Sequence, residues 1–277
     1  MSQVIEDVLF ANLAVKGNFD AVRLGKIYYC SNERLDDLFA NFSVKDKNVY
    51  SVLASSDQVF YSYLNGARSV DTFDRNRLTK YYYYLRKWII EYYGIYYPSE
   101  KLLFDTNRYI EEILKKVECN GEEEASAYLF WSTFISLSLD LEDTNIFHYS
   151  KYIDDNNRCD DVLRLRDILI NKELSFRYED LSGDISRDKK YDVIITSNLM
   201  EYIHDPLVLK KTRNYLYDIL KEDGEVICSY VINEKNDLSS IREKDIFSDL
   251  FDVLEFPYSG SCEYYRGRPL GYCYKKR

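Results

Sequence analysis

Two stretches of the chain alternate short apolar runs with longer runs of helical spacing, and a purely helical pattern separates them. In the first stretch, residues 49–54 (VYSVLA) read as a buried strand. SSDQ follows, in which Ser55, Ser56 or Asp57 can accept a hydrogen bond from a free backbone N–H and open a helix. That helix is expected over 58–64 and stops at Asn65-Gly66, because glycine takes the left-handed conformation that closes a helix. Residues 68–73 (RSVDTF) read as a second strand ending at Asp74, and Asn76 opens a long helix through KYYYYLRKWIIEYY to Gly94. Strand, helix, strand, helix in that order calls for a parallel sheet.

From Pro98 to about Asn171 no convincing strand occurs; 107–117, 122–141 and 160–170 all have helical spacing. The most apolar run, 125–139 (ASAYLFWSTFISLSL), is shorter than the ~20 residues a membrane-spanning helix needs and reads as a buried helix or pocket wall. Alternation resumes with strands at 174–178 and 191–197 (YDVIITS), then a helix over 206–220 with Pro206 in its first turn. A Glu222-Asp223-Gly224 turn leads to a strand at 225–232, and the shorter strands 252–256 and 270–275 suit an antiparallel pair at the sheet edge. The expected organisation is an N-terminal helical segment (1–44), an α/β domain made of 45–97 and 172–277, and a helical insertion or lid at 98–171.

Charge narrows the function. With 37 Lys+Arg against 47 Asp+Glu, the net charge is −10, which disfavours a nucleic-acid binder that works by neutralising phosphates. The six cysteines form no CxxC pair, and only His148 and His204 are available beside them, so a zinc site is not expected. The N-terminus lacks a basic segment followed by a continuous apolar core, so a cytoplasmic protein with reduced thiols is expected. The 28 tyrosines read mainly as packing residues with a polar tip. Four in a row, Tyr81 to Tyr84, point in different directions on a helix and cannot all line one site.

In an open parallel sheet, ligands collect beyond the carboxyl ends of the strands, where the strand order reverses. The loops so placed are 54–57, 74–76, 179–182 and 197–202. Asp74 ends the second strand, 19 residues after Ser55, a position from which a carboxylate accepts both hydroxyls of a ribose; capping of the following helix is the alternative. A dinucleotide needs a glycine-rich turn so that backbone can approach its pyrophosphate, yet ASSDQ has no glycine and no GxxxxGK[ST] occurs. A nucleoside cofactor without phosphates, S-adenosylmethionine, fits better, with Asp57, Asp74 and Asp180 as acceptors for its ammonium, ribose and adenine amine.

The run VYSVLASSDQVFYSYLNGARSVDTFDRN, with YDVIITSNLMEYI and LKEDGEVICSYV downstream, resembles the nucleoside-binding core of class I S-adenosylmethionine-dependent methyltransferases. S-[SG]-D-Q in the first loop, V-D-x-x-D-x-N at the second strand, SN-[IL]-x-x-Y after the fourth and the ending YYRGRPLGYCYKKR are similar to the diacylglycerol 3-amino-3-carboxypropyl transferase-like group. The resemblance implies a Rossmann-like methyltransferase fold, a mostly parallel seven-stranded sheet with an antiparallel edge. It implies cofactor contacts at Ala54, Ser55, Ser56, Asp57, Asp74, Arg75, Asp180, Leu181 and Ser197, and a catalytic region at Asn198 and Tyr202. Ser55-Ser56 stands where these proteins usually carry a glycine.

Methyl transfer to a small-molecule or lipid acceptor is the expected activity, with 3-amino-3-carboxypropyl transfer, or a non-catalytic binding protein that retains the methyltransferase fold, as alternatives. His204 stands as a possible base, and Tyr264 and Tyr265 as lesser candidates.

Overall fold

The computed structural model describes residues 2–25, 27–28, 31, 35–96, 106–137, 147–148, 159–181, 189–203, 205–228, 246–257 and 270–277. The elements in chain order are α1 (Ser2–Val15), α2 (Phe19–Gly25), β1 (Ile27–Tyr28), α3 (Leu35–Phe39), β2 (Asn48–Val52), α4 (Asp57–Leu64), β3 (Ser69–Asp74) and α5 (Thr79–Tyr93). They continue with α6 (Thr106–Leu114), α7 (Glu122–Ser136), β4 (Phe147–His148), α8 (Cys159–Leu169), β5 (Ser175–Tyr178) and β6 (Tyr191–Ser197). A 3-10 turn (Leu199–Tyr202), α9 (Pro206–Ile219), β7 (Leu220–Cys228), β8 (Phe251–Pro257) and β9 (Leu270–Lys276) complete the chain.

Seven strands form one sheet in the order β5-β3-β2-β6-β7-β9-β8. The pairs β2–β3, β2–β6 and β6–β7 are parallel, whereas β9 runs antiparallel to both β7 and β8. The strand order reverses between β2 and β6, and the antiparallel strands close one edge: a Rossmann-like α/β fold. The expected edge pair is present, with Asp252 opposite Lys275 and Phe256 opposite Gly271.

One expected turn is part of a strand. Glu222-Asp223-Gly224 lies inside β7 as an irregularity, since Tyr191 pairs with Leu220 while Val193 already pairs with Glu225. Asp223 takes φ 61° there, and a Cβ at position 224 would stand 2.9 Å from the Lys221 carbonyl oxygen, closer than packed atoms tolerate. Two further strands, β1 and β4, arise in segments with only helical spacing; they pair parallel through Ile27–Phe147 and Tyr28–His148. Strands of two residues carry too little pattern to be read from sequence.

The chain divides into two compact units. One contains 32–52, 57–73 and 179–277 and so six of the seven strands. Its interior is Val49, Tyr50, Val193, Ile194, Ile195, Val226 and Ile227, all fully buried, as befits strands covered on both faces. The Tyr50 ring stacks on Tyr191 at 4.8 Å and lies 4.7 Å from Phe73. Tyr191 donates to Asp71 (2.8 Å), which also accepts from Lys189.

The other unit, 1–31, 53–56 and 74–178, is mainly helical. Here α5 packs against α6, α7 and α8. Tyr81, Tyr82, Tyr83 and Tyr84 are all buried, because a helix enclosed on several sides has no wet face to spare. Tyr81 stacks on Phe130 at 4.0 Å and donates to Asp7 (2.6 Å), while its carbonyl accepts from Trp131 Nε1 (2.8 Å). Within this unit the tyrosines of α5 thus join helix to helix. Glu124 accepts from Trp88 (2.8 Å) and pairs with Lys87 (3.4 Å), which neutralises a buried carboxylate.

Candidate cofactor site

The loop after β2 and the end of β3 are joined by one side chain. Asp74 Oδ2 accepts the Ala54 N–H (2.9 Å), and Asp74 Oδ1 accepts the Asn76 N–H (2.8 Å). Burial pushes the Asp74 carboxyl up to about 6, against the pull of those two N–H groups and the Arg75 charge. Asp74 is not the cap of α5. The N-cap position is Leu78, with no side-chain cap, and two residues before it Asn76 accepts the Leu78 N–H on Oδ1 (3.0 Å) and the Thr79 hydroxyl on its carbonyl (2.7 Å). Arg75 is exposed.

The first loop has no glycine but a backbone of the glycine kind. Ala54 takes φ 42° and Ser56 φ 75°, left-handed conformations that cost a residue with a Cβ roughly 1 kcal/mol or more. Three bonds hold them: the Asp74 contact, Ser56 N–H to the Leu53 carbonyl (2.6 Å), and Arg86 Nη1 to the Ser55 carbonyl (2.6 Å). Arg86, from α5, is itself buried, donates through Nη2 to the Tyr96 carbonyl (3.1 Å) and lies 4.9 Å from the centre of the Tyr96 ring. The Ser56 hydroxyl is buried with no hydrogen-bond partner among the described residues. Such an orphan costs about 1–3 kcal/mol, and a polar ligand removes that cost.

The remaining candidates lie in the sheet unit. Asp57 is fully buried as the first residue of α4. Asp180 is exposed and Leu181 buried. The loop carrying them is fixed on both sides of Asp180: Tyr50 donates to Glu179 (2.5 Å) and Thr212 to the Leu181 carbonyl (3.2 Å). Burial raises the Tyr50 hydroxyl well above its usual range, so it donates at every physiological pH. Ser197 ends β6 with φ 55°, Asn198 follows it half-buried, and Tyr202 is 55% exposed on the 3-10 turn. Ser182, His204, Tyr264 and Tyr265 lie outside the described residues.

Arg86, Tyr50 and Thr212 escaped sequence reasoning. The only trace of Arg86 is a cation amid the aromatic run YYYYLRKW.

No protein-family model matches the sequence, and no curated protein matches it. Among solved structures, the chain is similar to the N-methyltransferase NodS from Bradyrhizobium japonicum WM9 in complex with S-adenosyl-L-homocysteine, at 9% identity over 99% of this chain and 97% of that one, with TM-score 0.45. It is similar to a ribosomal protein L11 methylase from Lactobacillus delbrueckii subsp. bulgaricus, at 15% identity over 88% and 76%, with TM-score 0.41. A TehB-like S-adenosylmethionine-dependent methyltransferase from Corynebacterium glutamicum matches at 12% identity over 96% and 93%, with TM-score 0.40. At these values the fold rests on the strand order itself. No helix among the described residues is long and apolar enough to cross a membrane.

Proposed function

We propose that the chain is an S-adenosylmethionine-dependent methyltransferase acting on a small-molecule or lipid acceptor. The observation that carries this reading is Asp74: a buried carboxylate at a strand end, anchored by backbone N–H groups of its own turn and of the first loop. Each carboxylate oxygen has further lone pairs, and with its proton lost above about pH 6 the group accepts the two ribose hydroxyls at neutral pH.

The orphan Ser56 hydroxyl fits the carboxylate at the amino-acid end of the cofactor, beside Ala54 and Ser55, and Asp57 fits its ammonium. Arg75 stands next to the ribose acceptor in sequence, Asp180 would accept from the adenine amine and Leu181 would cover the ring. Ser197 and Asn198 are assigned to the transferred group, and Tyr202 to orienting the acceptor. When bound, S-adenosylmethionine supplies a methyl group on a cationic sulfur for in-line transfer. The chain contributes orientation and a preorganised polar wall, the main terms such a reaction asks of a protein.

The missing glycine favours a chain that keeps the fold without the cofactor, but Ala54 and Ser56 already hold glycine-type angles, so the loop's shape survives its absence. Calorimetry with S-adenosylmethionine tests the reading; no heat at millimolar ligand overturns it. Product analysis then separates two chemistries. S-adenosylhomocysteine marks methyl transfer, whereas 5′-methylthioadenosine marks the aminocarboxypropyl transfer that the narrower motif resemblance suggests.

A further inference from the structure

The strained first loop is held by a side chain from a different element. Ala54 and Ser56 sit at φ 42° and 75°, and the residue between them is gripped through its carbonyl by Arg86 Nη1 at 2.6 Å. The grip is rigid. The guanidinium is buried, its Nη2 is committed to the Tyr96 carbonyl, and its face lies by the Tyr96 ring. A planar fork fixed at two carbonyls defines the position of both, which a lysine ammonium with a single flexible point of attachment does not. The Ala54 side of the loop has its own tether in Asp74, so Arg86 governs chiefly the Ser55-Ser56 half, where the orphan hydroxyl lies.

We infer that Arg86 is a positioning residue that stands in for the missing glycine. By holding Ser55 it keeps Ser56 left-handed, and so places the loop's polar groups for the amino-acid end of the bound cofactor. The inference rests on the reading of the chain as an S-adenosylmethionine-binding protein and deepens it, since it assigns this half of the loop to the aminocarboxypropyl portion and leaves ribose and adenine to other residues.

Two ligands separate this role from a general structural one. S-adenosylhomocysteine carries the amino-acid end, and 5′-methylthioadenosine has the same nucleoside without it. In the full-length protein, Arg86→Lys is expected to weaken S-adenosylhomocysteine about tenfold, as loss of a charge-assisted hydrogen bond on the loop implies, while 5′-methylthioadenosine changes by less than about twofold. Because Ser56→Gly also removes the hydroxyl assigned to the cofactor carboxylate, the Arg86 effect is read within that background: Arg86→Lys should weaken S-adenosylhomocysteine by less than about threefold relative to Ser56→Gly alone, since glycine holds a positive φ without a clamp. Circular dichroism on each variant verifies folding, and if Arg86→Lys does not fold, the same two ligands are compared on Arg86→Gln. Equal losses for both ligands, or an undiminished loss from Arg86→Lys in the Ser56→Gly background, overturn the inference. A wild-type protein that binds neither ligand overturns the cofactor reading, and a wild-type protein that binds both with unaltered affinities in the variant overturns only the role of Arg86.

Discussion

Asp71 and Asp74 lie three residues apart on β3 and are held by different kinds of donor. Asp71 is met by a cation and a phenol, Lys189 and Tyr191. Asp74 is met by the backbone N–H groups of Ala54 and Asn76, and its carboxyl is pushed up to about 6. Side-chain partners that fold together with a carboxylate make it a fastener between strands. Backbone donors hold a strand-end carboxylate in place without a cation, and burial raises its pKa against their pull.

The comparison breaks first on pH. A carboxyl with a folded value near 6 and a usual value of 3.8 binds more protons in the folded chain than in the unfolded one. Its contribution to stability is therefore fully present below about pH 4 and is lost as pH rises through about 6. Asp74→Asn removes this slope, so the stability of wild type relative to the variant should fall by about 3 kcal/mol across that window in paired denaturation curves. A flat difference would mean that Asp74 is not strained by burial.

Asp71→Ala should act on stability instead. Removing the acceptor of the buried Tyr191 hydroxyl is expected to cost about 2 kcal/mol in urea denaturation at pH 7, with affinity for S-adenosylhomocysteine unchanged in the protein that remains folded. Loss of affinity there would erase the contrast between the two carboxylates. Ser56→Gly, by relieving the φ of 75°, should raise the thermal midpoint in proportion to a gain of about 1 kcal/mol, part of the strain being offset by the freer unfolded chain. The smallest effect belongs to Asp180→Ala. An exposed acceptor contributes little, so calorimetry should show S-adenosylhomocysteine weakened about threefold, with a smaller preference over its inosine counterpart.

Much of this was legible in the chain because the relevant signals are local. VYSVLA, RSVDTF and YDVIITS mark three adjacent strands by their apolar and β-branched content, and Asp74 stands out because a carboxylate directly follows one of them. The strand at 191–197 is placed to the residue. The β7 bulge was missed because Glu-Asp-Gly is the composition of a turn, and only the pairing of Tyr191 with Leu220 carries the strand through it. The left-handed Ala54 and Ser56 gave no sign, since neither residue favours that conformation; contacts from Asp74 and Arg86 impose it. Arg86 depends on the rotation of α5 and on a contact 31 residues away in sequence, information that no local pattern contains.

The central claim is that Asp74 receives the ribose of an S-adenosyl cofactor. Titration of S-adenosylhomocysteine into wild type and Asp74→Asn at pH 7.5, side by side, tests it most directly. The account predicts saturable binding to wild type and affinity at least about tenfold lower in the variant, the cost of leaving buried hydroxyls without their charged acceptor. Equal affinities, or no binding to wild type at millimolar ligand, would contradict it.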